Sequence, residues 1–289
     1  MTERREIDEP TGVEKVGHEW DGIEELNNPL PKWWIWTFYV TVAWGIGYMI
    51  AMPAIPLIES YTAGVLDLHQ RAVVAEELQQ AEADRAPYLE RIATEDLEAI
   101  EADPELMTFA MAGGRSLFSV HCSQCHGSGA QGAVGYPNLN DDSWLWGGTL
   151  TDILTSIRFG IRAQHDETRI NDMPAFLKDG ILDRAQVLDV SEYVLSLSGS
   201  ANDQDAVERG AAIFAEQCAA CHGEQGQGNM ELGAPNLRDA IWLYGSDKAG
   251  IVESVANSRR GVMPAFDGKL DDATLRQLAI YVHRLGGGQ

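Results

Sequence analysis

From Trp33 to Met52 the chain reads Trp-Trp-Ile-Trp-Thr-Phe-Tyr-Val-Thr-Val-Ala-Trp-Gly-Ile-Gly-Tyr-Met-Ile-Ala-Met, twenty positions without a charge, followed by Pro53 and Pro56. Twenty helical residues rise about 30 Å, the thickness of a bilayer core. The pattern predicts one transmembrane helix within residues 33–58, with tryptophans at its first end and Lys32 just outside as interfacial anchors. A buried core helix is the competing reading, but core helices rarely run so far without a charge. The polar residues 1–32 ahead of it, and the lack of a small-residue cleavage site behind it, argue against a removable signal peptide. Lys15 and Lys32 on the near side against Arg71 on the far side weakly favour a cytoplasmic N-terminus.

Residues 59–106 are rich in Ala, Glu and Gln. Val74, Leu78, Ala81, Tyr88 and Ile92 recur near a heptad spacing, which predicts a helical stalk interrupted at Pro87. At Asp103-Pro104 a capping residue precedes a proline suited to a first turn, so a new helix is expected to about Val120. The remainder is an internal repeat. Gly114 and Phe118 stand eight and four residues before Cys122, and Gly210 and Phe214 stand likewise before Cys218. Pro137-Asn138-Leu139 and Trp144-Leu145-Trp146-Gly147 match Pro235-Asn236-Leu237 and Trp242-Leu243-Tyr244-Gly245. Met173-Pro174-Ala175-Phe176 matches Met263-Pro264-Ala265-Phe266, and periodic helices Asp183 to Leu197 and Asp271 to Leu285 close the copies. The fold class is therefore all-α: a span, a stalk, and two like domains at 107–199 and 203–289 joined by a short polar linker.

Composition refines this picture without changing it. An apolar content of 45% in 289 residues is enough for two small cores. The net charge of −23 is concentrated in residues 59–106, with thirteen acids against three arginines, whereas each repeat carries only −4. Solubility of an exposed helix accounts for that, and steering of a basic cytochrome is the alternative. No nucleic-acid partner is expected.

All four cysteines fall in two Cys-x-x-Cys-His strings, Cys122-Ser123-Gln124-Cys125-His126 and Cys218-Ala219-Ala220-Cys221-His222. Such strings attach haem c through two thioethers, and the adjacent His ligates the iron. Zinc would need further cysteines or clustered histidines, and a dithiol oxidoreductase would need a βαβ context. Two covalently bound haem c groups are expected. Because such attachment takes place outside the bacterial cytoplasmic membrane, both motifs belong on the periplasmic side of an inner-membrane protein.

Whether the second axial position is filled divides electron transfer from catalysis. Met173 lies 47 residues after His126, and Met263 lies 41 after His222, each before Pro-Ala-Phe. Ligation by these thioethers competes with core packing, and His165 competes for the ligand role in the first copy. His121 is expected to point away from its own haem, and His283 to be structural. Pro137 and Pro235 either supply carbonyls to the proximal imidazoles or make rigid turns. Trp144, Trp146, Trp242 and Tyr244 are expected to wall the haems.

Both repeats resemble class I cytochrome c domains, in which a helix bearing Gly and Phe crosses a closing helix bearing an aromatic, here Tyr193 and Tyr281. Gly17 to Trp34, reading GHEWDGIEELNNPLPKWW, is similar to the leading segment of the dihaem subunit of cbb3-type cytochrome c oxidases, called CcoP or FixP. Gly233-Ala234-Pro235-Asn236-Leu237 with Trp242-Leu243-Tyr244-Gly245 resembles the same family. The resemblance implies an electron-transfer subunit beside a catalytic haem-copper subunit and a monohaem cytochrome c subunit, fed by a soluble or membrane-anchored cytochrome c. Carried over by position, it implies His126 with Met173 on one iron and His222 with Met263 on the other. The chain departs in having Phe after Met-Pro-Ala, where the family often has Trp, and one span where some members have two. Rival readings are a free membrane-anchored dihaem cytochrome and, from another class, a dihaem peroxidase with a replaceable ligand.

Overall fold

The computed structural model describes residues 6–286, so the outermost ends of the expected segments 1–32 and 203–289 lie outside the described residues. The chain forms two compact units, divided between Ala83 and Asp84.

In the first unit, β1 (Lys15–Trp20) and β2 (Ile23–Leu26) pair antiparallel, with Trp20 opposite Ile23 and Glu19 opposite Glu24. The turn is Asp21-Gly22, both at positive φ (48° and 83°), as a two-residue primed turn requires. This hairpin is an addition to the expected helical architecture, and Asp-Gly between short apolar runs was its signal.

Helix α1 (Lys32–Ala51) follows, with none of its residues buried, and Trp33, Trp36 and Trp44 are at least 70% exposed. Such apolar exposure all round suits a lipid-facing helix and no water-soluble one. Three of its last carbonyls are satisfied: Met52 N–H donates to Tyr48, Val65 to Ile50 at 2.9 Å and Leu66 to Ala51 at 3.1 Å. Gly64, at φ +75°, approaches the Ala51 carbonyl too closely for any side chain.

Helix α2 (Gln70–Thr94) runs through Pro87 without a break, contrary to the expected interruption. A proline forgoes one amide, and packing beyond it offsets the loss: Ile92 is fully buried and Tyr88 stacks on Phe109 at 4.9 Å.

The second unit contains the end of α2, then α3 (Leu97–Ala102), α4 (Pro104–His121), the single turn α5 (Ser123–His126), α6 (Leu150–Phe159) and α7 (Arg184–Leu197). The second copy supplies α8 (Gln204–Gln217), the single turn α9 (Ala219–His222), α10 (Lys248–Asn257) and α11 (Asp272–His283). Aspartates cap several of these helices: Asp103 accepts from Glu105 N–H at 2.9 Å, Asp183 from Gln186 at 2.9 Å and Asp271 from Thr274 at 2.8 Å. Each such cap contributes about 1 kcal/mol.

The packing of the two copies differs from the expected one with wide effect: the closing helices are exchanged. Phe118 of α4 meets Tyr281 of α11 at 5.4 Å, and Phe214 of α8 meets Tyr193 of α7 at 4.9 Å. One core joins Phe118, Ile153, Ile157, Leu275, Leu278 and Val282. Another joins Phe214, Ile251, Val255, Val187, Val190 and Val194. The cause is the linker 198–203, which is short enough to make α7 and α8 antiparallel neighbours. With α7 taken, α4 is completed by α11.

Residues 84–106, expected as part of a free connector, belong to this unit. Ile92, Leu97 and Ile100 share a core with Leu106, Ala110, Ala273 and Ile280. Arg276 donates to the Ile92 carbonyl at 3.0 Å, and Glu101 pairs with His283 and Arg284 at 3.0 and 2.9 Å. His283 is thus structural.

Candidate functional site

Each attachment motif is built by the end of a helix. Cys122 caps α4, its N–H bonded to Phe118 at 2.9 Å, and α5 turns so that Cys125 and His126 both donate to the Cys122 carbonyl, at 3.1 and 3.0 Å. Gly127, at φ +81°, ends the turn. In the second copy Cys218 caps α8 on Phe214, Cys221 and His222 donate to Cys218 at the same 3.1 and 3.0 Å, and Gly223 stands at +79°. All four thiols are free.

The imidazoles are fixed in matching ways. His126 Nδ1 lies 3.0 Å from the Pro137 carbonyl, and His222 Nδ1 lies 3.1 Å from that of Pro235. A carbonyl only accepts, so Nδ1 carries the proton and donates, and Nε2 is left with its lone pair for a metal. Burial holds both imidazoles below the ordinary histidine range, outweighing the opposite pull of the proline carbonyl, and so favours the neutral form that ligates iron. The two proline carbonyls therefore act as partners of the imidazoles, which decides between the two roles left open above. Gly132, at φ +68°, lies against the Tyr136–Asn138 backbone, where a side chain would push Pro137 off His126.

Burial pushes the Cys122 and Cys218 thiols up to about 11. A dithiol oxidoreductase needs the reverse, a depressed thiol. Among the described residues, no group of three or more His, Cys, Asp or Glu side chains could hold a metal ion, which leaves zinc without a ligand set. Two thiols beside an imidazole with a free nitrogen, near a thioether, fit haem c.

The methionines are exchanged along with their helices. Met263 packs in the core that holds Cys122, and Met173 in the core that holds Cys218. Pairing by position within each copy, His126 with Met173 and His222 with Met263, is not what the fold brings together. The competitor His165 is engaged elsewhere, 3.6 Å from Asp267 and tilted against Phe159 at 5.0 Å. His121 is exposed, edge-on to Phe266 at 6.3 Å.

Trp144 packs in the Cys122 core and Trp242 in the Cys218 core. Trp146 and Tyr244 reach across instead, Trp146 against Gly233 and Tyr244 against Gly135. Arg169 stacks over Trp146 at 5.4 Å and Arg259 over Tyr244 at 4.6 Å. These arginines were missed in the sequence, although each stands four residues before a Met-Pro-Ala-Phe string.

Comparison with known proteins finds family matches along the chain. The N-terminal domain of FixP of the cbb3 cytochrome oxidase matches residues 12–59, cytochrome c matches 111–198, and subunit III of cbb3-type cytochrome c oxidase matches 205–282. The cbb3-type cytochrome c oxidase subunit CcoP of Azospirillum sp. (strain B510) is 52% identical over 290 residues, 98% of each chain.

The chain belongs to the CcoP/FixP family.

The FixP subunit of Bradyrhizobium sp. (strain ORS 278) is 50% identical over the whole of both chains, and the CcoP subunit of Cereibacter sphaeroides is 50% identical over 95% of each. In this CcoP/FixP chain the FixP-like match covers β1, β2 and α1. The two cytochrome matches follow the sequence copies, whereas the packed cores cross between them. Its cytochrome c domains bind haem c and serve electron transfer in the oxidase, and its apolar helix α1 is the candidate membrane anchor.

Proposed function

We propose that the chain carries two haem c groups and relays electrons from a cytochrome c donor to the oxygen-reducing core of a cbb3-type oxidase. Cys122 and Cys125 hold one haem and Cys218 and Cys221 the other. His126 and Met263 ligate the first iron, and His222 and Met173 the second. The observation that carries this reading is the matched pair of imidazoles, each tethered through Nδ1 to a proline carbonyl and each sharing a core with one methionine.

Bound haem c supplies a one-electron ferric/ferrous couple. The chain's own residues set its conditions. The Nδ1–H bonds to Pro137 and Pro235 orient the imidazoles and raise their basicity toward iron. The soft thioethers of Met263 and Met173 favour the reduced state and raise the potential. With His126 and Met263 holding one group and His222 and Met173 the other, neither oxygen nor peroxide would find a free place at iron, which favours transfer over catalysis. Trp144 and Trp242 exclude water from the two pockets.

In this reading α1 lies in the bacterial inner membrane with the segment before it in the cytoplasm and residues 107–286 in the periplasm, where haem c is attached. The partners are the catalytic haem-copper subunit, the monohaem cytochrome c subunit, and a soluble or membrane-anchored cytochrome c donor. The leading segment that matches FixP supports a place in the oxidase over service as a free membrane cytochrome.

Haem stoichiometry by pyridine haemochrome, with redox titration, tests the reading. In a background carrying Cys122→Ala and Cys125→Ala, only the haem on Cys218 and Cys221 remains. Met173→Ala then lowers its midpoint potential and Met263→Ala leaves it unmoved. The opposite result restores pairing within copies, and no response to either removes both methionines from the ligand set of the haem on Cys218 and Cys221.

A further inference from the structure

The two methionine loops are tied to one another. Ile161 and Met263 exchange backbone hydrogen bonds at 3.0 Å in both directions, and the Ser258 hydroxyl donates to the Met173 carbonyl at 2.5 Å. Asp172, next to Met173, pairs with Arg260. One side chain touches both loops directly. Arg162 Nε donates to the Gly261 carbonyl at 2.7 Å, and its Nη1 donates to the Asn171 carbonyl at 3.2 Å. Gly261 lies two residues before Met263, and Asn171 two residues before Met173.

In the second copy Arg259 bonds the Gly250 carbonyl and Ser254 within its own copy, and Arg260 pairs with the Asp172 carboxylate. Arg162 is also held at φ +54°, in the left-handed region that a branched or long side chain rarely adopts, and its amide donates to Arg169 at 2.9 Å. The two hydrogen bonds that the guanidinium donates fix it in direction as well as place. A planar fork with donors on two edges can hold two carbonyls at once, whereas a lysine ammonium is a point charge on a flexible stem.

We infer that Arg162 is a shared positioning residue for both axial sulfurs, holding the Met263 and Met173 loops in register so that one side chain tunes the methionine bond at both irons. The inference rests on the crossed His/Met ligation proposed above. Loosening either loop frees its sulfur to leave the ferric iron, and because the loops are joined, removing Arg162 loosens both.

The test uses the full-length haem-loaded chain in detergent, with exogenous imidazole as the probe that competes for the methionine position. The readouts are the imidazole dissociation constant at each ferric haem and the intensity of the sulfur-to-iron charge-transfer band. Arg162→Gln strengthens imidazole binding about tenfold at both haems, the scale of one hydrogen bond from a charged donor, and weakens the band. Arg115→Gln, an exposed charge loss on α4, leaves both unchanged. If Arg162→Gln yields too little loaded chain, Arg162→Lys is read in the same way, since it keeps the charge and loses the fork. A change at one haem alone, or at neither, overturns the inference. Met173→Ala and Met263→Ala are measured alongside. If neither alters imidazole binding, the ligation reading itself fails and the inference falls with it, whereas a response to both with none to Arg162 condemns only the role of the arginine.

Discussion

Gly114 on α4 lies against the backbone carbonyl of Gln277 on α11, so near that no side chain fits between the two helices. Gly210 on α8 meets the Asp189 carbonyl of α7 in the same way. The repeat placed these glycines at equal distances before their cysteines, and each serves a crossing with a helix of the other copy. Gly114→Ala and Gly210→Ala each force the helices apart, at a cost of roughly 1–3 kcal/mol. Thermal unfolding checks the loss. The proposed exchange adds a finer expectation: Gly114→Ala disturbs the haem on Cys122 and Gly210→Ala the haem on Cys218.

The exchanged helices also predict how the chain behaves when cut. A protease site placed at Ser200, in the exposed stretch between α7 and α8, severs the two sequence copies. The fragments stay together in a native size-exclusion column, because α4 still packs on α11 and α7 on α8. Two independent tandem domains would instead elute separately after the cut.

Glu192 on α7 is 2% exposed and paired with Lys248 of α10, while its other oxygen accepts from Asn202 N–H at 3.2 Å. The Lys248 bond, assisted by the Asn202 amide, holds this carboxyl below its ordinary 4.5. A depressed folded value means the contribution to stability is complete above the unfolded value and is lost as pH falls through the folded one. Glu192→Gln therefore lowers stability by about 1–2 kcal/mol at neutral pH. The gap between variant and wild-type melting temperatures narrows below about pH 4.5. A gap that stays constant down to pH 3 would show that the charge of Glu192 contributes nothing.

A charge placed midway along α1 tests the anchor. Val42→Arg costs about 3 kcal/mol at the centre of a span, and the expected outcome is a smaller fraction of chain resisting alkaline carbonate extraction from membranes. Retention equal to wild type would point to a helix held by something other than lipid.

Much of this architecture was legible along the chain, for local reasons. Asp103-Pro104, Asp183 and Asp271 mark helix starts because a capping carboxylate and a first-turn proline act on amides a few residues away. The proline carbonyls that hold His126 and His222 were readable for a similar reason, since the loops between them span only eleven and thirteen residues. Pro87 was misjudged because a proline's local cost is visible in sequence and the distant packing of Tyr88 and Ile92 that offsets it is not. The hairpin at Asp21-Gly22 carried a clear signal that the helical reading passed over.

The exchange of closing helices was hidden for a deeper reason. Tyr193 and Tyr281 occupy equivalent places in like helices, so apolar pattern says that each must cover a Gly/Phe face and is silent on which one. Only the length of the connection chooses, and the linker 198–203 assigns α7 to α8.

That choice orders the birth of the molecule. Helices α7 and α8 are made one after the other and can close on each other at once, while α4, made early, must wait for α11, the last helix among the described residues. Maturation thus begins between the two attachment motifs and finishes by bringing α11 back to α4, and a ribosome that stops short of residue 272 leaves the earliest-made pocket without its lid.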